Sequence, residues 1–535
     1  MRVRSWAITA AAAAVVANHA GLTRGSTFSA ITQVQTDSGP QSLQSVIQVV
    51  LQNNGDLAAV VDVGDDLTNS LVYGAGGATP GVIATANTTI YSQIGGSSTG
   101  APTFSDFTNL ALSRDSAGTE RLSFLGITQT EAGTTQGIYQ VNPAAPATTG
   151  FRIAATGDPI IPGSDARTFA PYDRGSNQVG YQVDASGNVV VAGTASGTQV
   201  ILSGNSTGNS LLVQASANVD QDFVTSADVY NQPDAKKPVI NSGHTVYLAT
   251  QVVESQTQRN ILANPSTSPR YEQGGLGATG LVPRDLIGAN SGGEIFVGTI
   301  TSGSNTQSAV YYHNNTGATL TQLTPMLGMH NETITGDTGE MTPAGHAAFY
   351  ANSVPDSGSA FQDLYYFDGA ASHLIATSGT SIANNGQTID AMSFDGSAPM
   401  VNDNGYVVFT ADLLDGQSVD HQAVLDWKYN PSNPNADPAP TVLLEQGQNL
   451  TTAQTGTIPV DFIQGILSDG ATADVLKDGL SDDNALAFGV DSGNNAYIVE
   501  TLLPEPSAAL LWLTGGTIWR LSRRRGRRAK VATGC

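Results

Sequence analysis

The side chains of this chain that could move protons or hold metal are seven histidines and 45 acidic residues. The histidines (His19, His244, His313, His330, His346, His373 and His421) are scattered, and no HExxH, GxSxG or GxxxxGK[ST] pattern occurs. Zincin, α/β-hydrolase and P-loop chemistry therefore have no sequence support. The only cysteine, Cys535, is the last residue, which leaves the body without a thiol nucleophile, a disulfide framework or a cysteine-type zinc site. Three acidic groups offer hard oxygen ligands: Asp62, Asp65 and Asp66; Asp478, Asp482 and Asp483; and Asp491 with Asn494 and Asn495. None fits the EF-hand loop, which needs Gly at its sixth and Glu at its twelfth position. They read first as turn chemistry on a solvated acidic surface, with structural calcium as the alternative. No metal-ligand set, catalytic residue or cofactor is assigned. Glycosidase carboxylate pairs are equally unassignable, because among so many acids any pair can be chosen.

What must position these groups is a repeating pattern. A polar turn with Asn or Asp and a Gly precedes an apolar strand at Asn53-Asn54-Gly55, Asn241-Ser242-Gly243, Asn290-Ser291-Gly292-Gly293, Thr342-Pro343-Ala344-Gly345 and Asn402-Asp403-Asn404-Gly405. Weaker copies lie at Asp184 to Gly187, Asp115 to Gly126 and Asp482 to Asn484, making eight in all. The first Asn or Asp bonds its own backbone, and the Gly takes the left-handed conformation that closes a hairpin. In Tyr406 to Leu413, the residues Val407, Phe409 and Ala411 should form the buried face of a half-buried strand. His244 and His346 directly follow motif glycines and read as strand-edge residues.

Aromatic strands follow at similar offsets (309–314, 363–369, 423–430), then strands ending in Gly, so each unit carries about four strands. With 59 glycines in 535 residues and 13% charged residues, the composition suits short strands and tight turns. The expectation is an all-β repeat domain over 31–500, a β-propeller of seven or eight blades, with a β-solenoid or tandem β-sandwiches as alternatives. The proline-rich stretches at Pro265 to Pro283 and Pro431 to Pro440 read as long loops.

Both ends read as addresses. Met1 to Arg4 is a basic start followed by the uncharged Trp6 to Ala17, the layout of a signal peptide over 1–20, expected to be a helix, that ends after Ala17 or Ala20. The other end runs from Pro504-Glu505-Pro506 through an apolar segment, 508–519, expected to be a short helix, to Arg520, Arg523, Arg524, Arg525, Arg527 and Arg528. The arginines hold that end cytoplasmic while a dozen apolar residues lodge in the bilayer, transiently or as a permanent anchor. Removing both ends leaves 13 basic against 44 acidic residues, a net charge near −31. That surface repels phosphate backbones and weighs against nucleic acid as a partner.

The C-terminal order of triplet, apolar segment and basic cluster over 503–528 resembles the PEP-CTERM sorting signal, with Pro504, Glu505 and Pro506 matching the triplet. The resemblance implies export by a Gram-negative bacterium and processing by an exosortase-type enzyme, and it implies a cell-surface or extracellular-matrix location in an exopolysaccharide context. The body resembles exported bacterial proteins with a tandem NxxGxxAF repeat. Asn402, Gly405 and Phe409 match that repeat with Val408 in place of Ala, and Gly345, Ala348 and Phe349 match with Thr342 in place of Asn; the label carries no activity. The expected function is non-enzymatic binding of polysaccharide or protein at the surface, with a propeller-type exopolysaccharide lyase or hydrolase as the alternative.

Overall fold

The computed structural model describes residues 28–503, apart from 65–67, 90, 92–102, 115–116, 131–132, 172–180, 185, 215–221, 224–238, 242–243, 254–255, 265–268, 303–304, 326–338, 354–360, 383–386, 393–397, 415–419, 433–437, 453–455, 465–478 and 494. The signal segment, the sorting triplet, the arginine cluster and both expected terminal helices lie outside the described residues. The one helix within them is a single turn, Pro146–Thr149, and no described helix is long and apolar enough to cross a membrane.

Among the described residues the strands form eight sheets, the one over 33–85 closed into a barrel. In chain order, the first seven lie within 33–85, 104–155, 159–214, 222–264, 281–322, 339–377 and 388–445. The eighth combines strands from 449–502 with the N-terminal strand Phe28–Ile31. The sixth sheet shows the plan: Gly339–Met341, Ala347–Ser353, Phe361–Phe367 and Ser372–Thr377 pair in sequence, each antiparallel to the last. Its first strand is wholly buried and its fourth partly exposed, so the sheet runs from the protein's centre to its rim.

Consecutive sheets pack face to face through separate apolar cores. Phe104, Phe107 and Phe124 of the second sheet meet Val50, Val60 and Leu71 of the first. Ile287, Ile295 and Val297 of the fifth meet Phe349 and Phe367 of the sixth. Val407, Phe409 and Trp427 of the seventh meet Tyr350 and Tyr366 of the sixth. Ala487, Ala496 and Ile498 of the eighth return to Val46, Val49 and Val61 of the first. The ring closes, and the architecture is the expected β-propeller; neither of the alternatives, a solenoid or a chain of sandwiches, closes on itself in this way.

Closure uses both ends of the described chain. Phe28–Ile31 pairs antiparallel with Asn495–Leu502, with Phe28 opposite Thr501 and Ile31 opposite Ile498. The first described strand thereby becomes part of the last sheet.

Two local expectations are corrected. Tyr406, Val408 and Thr410 are buried along with Val407, Phe409 and Ala411, because the sheet is covered on both faces and the strand has no solvent side to alternate with. Pro283 lies inside the strand Leu281–Ala289 rather than in a loop. The register shifts between Pro283 and Asp285, the kind of irregularity where a residue without an N–H is tolerated.

Candidate functional site

The repeat motif is a hairpin loop between antiparallel neighbours of its sheet, as between Gly39–Leu51 and Leu57–Val63, Tyr181–Val183 and Val189–Ala195, or Met400–Val401 and Tyr406–Leu414. Five copies share one frame of five residues, beginning at Gln52, Asp184, Thr342, Asn402 and Ser481. The first N–H donates to the fifth carbonyl at 2.7–3.1 Å, and the fourth N–H donates back to the first carbonyl at 2.9–3.1 Å. The fourth residue is left-handed: Gly55, Gly187, Gly345 and Gly405 have φ between 73° and 93°, and Asn484 has φ 64°. This is a three-residue hairpin loop ending in a glycine bulge. Asn serves in the last copy because its short polar side chain tolerates the left-handed region.

Two motif residues have other roles than expected. The first position of the first loop is Gln52, not Asn53. Asn53 instead reaches the eighth sheet, accepting the Asp482 N–H at 2.7 Å and donating to Asp482 Oδ2 at 3.1 Å. Gly293 is not among the positive-φ residues; a Cβ there would run into the His313 carbonyl and the Tyr312 ring, so close approach requires the glycine. Asn241 lies at the end of Val239–Asn241, and Gly243 lies outside the described residues.

The loops are bolted to one another. Asn402, wholly buried, accepts the N–H groups of Asn404 and Tyr406 at 3.1 and 3.0 Å. Its Nδ2 donates across to Ser481 O and Asn484 Oδ1 at 2.9 and 3.0 Å. Asn290 repeats the arrangement, accepting from Gly292 and Gly293 and donating to Pro343 O at 3.3 Å. Asp403 accepts the Ala344 N–H at 3.2 Å. Linked loops thus run from the fifth sheet through the sixth, seventh and eighth to the first.

At Gly405, φ is +73° and a Cβ would lie 2.9 Å from Tyr366 Oη. Gly405→Ala is expected to destabilise by about 1–3 kcal/mol through backbone strain, read as a lower urea midpoint with unchanged slope.

Ionisable clusters sit at the junctions between sheets. Glu294, with no exposure, takes His313 Nδ1 at 2.5 Å, Asn315 Nδ2 at 3.1 Å and Arg270 Nε at 3.5 Å. Glu294 and His313 stand opposite in adjacent strands, a pairing visible only once the register is known. Asp56 accepts from Asn54 Nδ2, Tyr73 Oη and the Gly76 N–H at 2.6, 3.0 and 2.8 Å, and Arg114 of the second sheet approaches to 3.4 Å. Arg114 also pairs with Glu120. Burial, then the Asp56 hydrogen bond, raises the Tyr73 hydroxyl, and burial raises Glu120. A tyrosine pushed upward is a poor base, and these groups act as staples between sheets.

The acidic groups expected to offer calcium ligands are divided. Asp65, Asp66, Asp478 and Asn494 lie outside the described residues, and among those described no group of three or more potential ligands converges. Asp482 is occupied by N–H donors from Asn53 and Asp403. Asp491 accepts from Gln464; burial, with the nearby Asp461 charge, pushes its carboxyl up to about 6. The folded state therefore holds this proton more tightly than the unfolded chain, and stability should fall as pH rises from about 4 to about 6. The loss is smaller than the roughly 3 kcal/mol of a full two-unit shift, because the half-buried side chain is screened by solvent. Asp491→Asn should flatten that part of a urea-midpoint profile against pH.

The junction of the sixth and seventh sheets differs from these staples because it combines rings with a part-exposed carboxylate. Asp368, between Phe361–Phe367 and Ser372–Thr377, accepts the Ala370 and Ala371 N–H groups at 2.8 and 2.7 Å. Its Oδ2 takes Tyr429 Oη at 2.6 Å and His373 Nε2 at 3.4 Å. Burial alone would push Asp368 up, but the Tyr429, Ala371, Ala370 and His373 hydrogen bonds outweigh it and hold the carboxyl below its usual range. Tyr429 lies 4.9 Å from the His373 ring and 5.1 Å from Tyr366, which in turn lies 5.3 Å from Trp427 and 5.8 Å from His346. Among the described residues, Tyr366 Oη, Trp427 Nε1 and His346 Nδ1 find no hydrogen-bond partner. Sequence reading placed Tyr366, Asp368, Trp427 and Tyr429 in aromatic strands and His346 at a strand edge, but had no signal that two sheets bring them together.

The fold defines a member of the β-propeller class. No family model and no curated protein matches the chain. Similar solved structures include the β-propeller domain of the Trilobed protease from Pyrococcus furiosus, at 9% identity and TM-score 0.35, covering 75% of this chain and 96% of that one. A polysaccharide lyase of family PL25, an ulvan lyase, is similar at 9% identity and TM-score 0.33, covering 88% and 96%. The α-L-arabinanase of Penicillium chrysogenum follows at 12% and 0.27, covering 75% and 98%.

Proposed function

We propose that the protein is exported, processed by an exosortase-type enzyme at Pro504 to Pro506, and displayed at the cell surface or in the matrix, where it binds polysaccharide without cleaving it. The two ends support the address, and the thiol-free body of net charge near −31 suits it. The observation that carries binding over catalysis is the state of Asp368. A carboxylate that already accepts from two N–H groups, a phenol and an imidazole is poorly prepared either to donate or to take up a proton. The aromatic rings around it suit the C–H faces of sugars.

The test is co-sedimentation of the chain spanning 21–503 with exopolysaccharide from the producing cells, with the supernatant assayed for new reducing ends and unsaturated uronate. Sedimentation without products is expected. Products would replace this reading with a lyase or hydrolase, and a protein that stays in the supernatant would overturn it.

A further inference from the structure

We propose that the strand Phe28–Ile31 is a proton-dependent latch on the closed ring: it stays docked on Asn495–Leu502 while Glu500 is protonated and is released more often once Glu500 ionises. The latch is independent of what the ring binds.

The seam is thin. Phe28–Ile31 meets Asn495–Leu502 through four register pairs and Asn449–Thr452 through the single pair of Phe28 and Thr452. Of its four side chains only Ala30 is buried. After Thr32 the chain enters Gln33–Thr36, which belongs to the first sheet. Glu500 stands directly opposite Ser29 in this seam. By alternation it shares the face of Ala496 and Ile498, which pack against the first sheet. Ser29 Oγ donates to Glu500 Oε2 at 3.4 Å, and that is the one polar contact of this half-buried carboxylate among the described residues.

Other carboxylates held within the fold are answered more fully: Glu294 by His313, Asn315 and Arg270, and Asp158 by Arg152 and the Ala155 N–H. Glu500 has a hydroxyl in place of a cation. The other ionisable side chains in the strands of its sheet are Asp491 and Tyr497, and those in the strands of the first sheet are Asp62 and Tyr73. None of the four acts on Glu500: burial raises its carboxyl, the Ser29 bond lowers it, and burial prevails. Once ionised, Glu500 keeps a charge partly out of water with no cation to offset it, and opening the seam returns that charge to water. Docking of the strand therefore takes up a proton. The latch is fully held below the ordinary glutamate value of about 4.3 and weakens as pH rises through the higher, docked value. Its release bares the edge of Asn495–Leu502, a row of backbone groups open to pairing with another chain.

Hydrogen exchange read by mass spectrometry on the 21–503 chain tests the latch, with rates at Phe28–Ile31 corrected for the intrinsic effect of pH and compared with those at the buried strand Tyr406–Leu414 of the same molecule. In the wild type, protection of Phe28–Ile31 relative to that strand should fall roughly threefold or more between about pH 4 and about pH 7. Glu500→Gln keeps the shape of the side chain and stays uncharged, so it should remove the fall. Asp491→Asn, in the same sheet, should leave the fall as it is. Relative protection that does not change with pH in the wild type, or a fall that survives Glu500→Gln or vanishes in Asp491→Asn, would overturn the latch.

Discussion

A chain beginning at Thr32 should lose about 3–5 kcal/mol of stability relative to one beginning at Phe28, read as a lower urea midpoint. The difference is the strand Phe28–Ile31, whose four register pairs with Ile498 to Thr501 complete the eighth sheet. At about 1 kcal/mol for each ladder hydrogen bond, plus the burial of Ala30, the loss is a large share of the stability of an ordinary domain. It also bares the edge of Asn495–Leu502, a row of unpaired backbone groups that invites pairing with another chain. The shorter chain should therefore also self-associate, seen as concentration-dependent sedimentation. Equal urea midpoints for the two chains would mean that packing alone holds the ring.

The second large effect is expected at Asn402. Its side chain makes four hydrogen bonds, two accepted within its own loop and two donated to the loop of the next sheet. Asn402→Ala removes all four and leaves buried N–H and carbonyl groups unpaired, for an expected loss of about 2–4 kcal/mol. Asn402→Asp is the sharper probe. It keeps the accepting oxygen but turns a carboxylate oxygen toward Ser481 O and Asn484 Oδ1, so it should cost at least as much as alanine. At the equivalent Asp184, both carboxylate oxygens accept, from the Ser186 and Asn188 N–H groups and from Asn188 Nδ2. Asp184→Asn would turn an NH2 toward Asn188 Nδ2, a donor against a donor, and should therefore lower the midpoint as well. A harmless Asn402→Asp would show that the link between the loops carries no weight.

These contrasts mark what could be read from the chain. The loop at 402–406 was legible because Asn at its head and Gly at its fourth place are local requirements of one hairpin type, and the eight motif copies fall one to each of the eight sheets. Asn53 was misplaced by one residue because two asparagines stand together, and local preference does not say which heads the loop. The partner of Asn53 lies 429 positions away, and no local pattern reports such a contact. The buried pair Glu294 and His313 needed the strand register, and the Asp368 rim needed the packing of two sheets. Alternation failed as a guide in Tyr406–Leu414 because both faces of that strand are covered. Fold class therefore follows from short-range rules repeated eight times, while the candidate site depends on distances that only the closed ring supplies.

The proposed function has the ring exported and both ends removed outside it, and the mass of the native protein recovered from the cell surface and medium tests that proposal most directly. The expected product starts after Ala17 or Ala20 and ends near Pro504, keeping Phe28–Ile31 and Asn495–Leu502 together in the eighth sheet. A product that still carries Arg523 to Cys535, or a full-length chain confined to the cytoplasm, would contradict it.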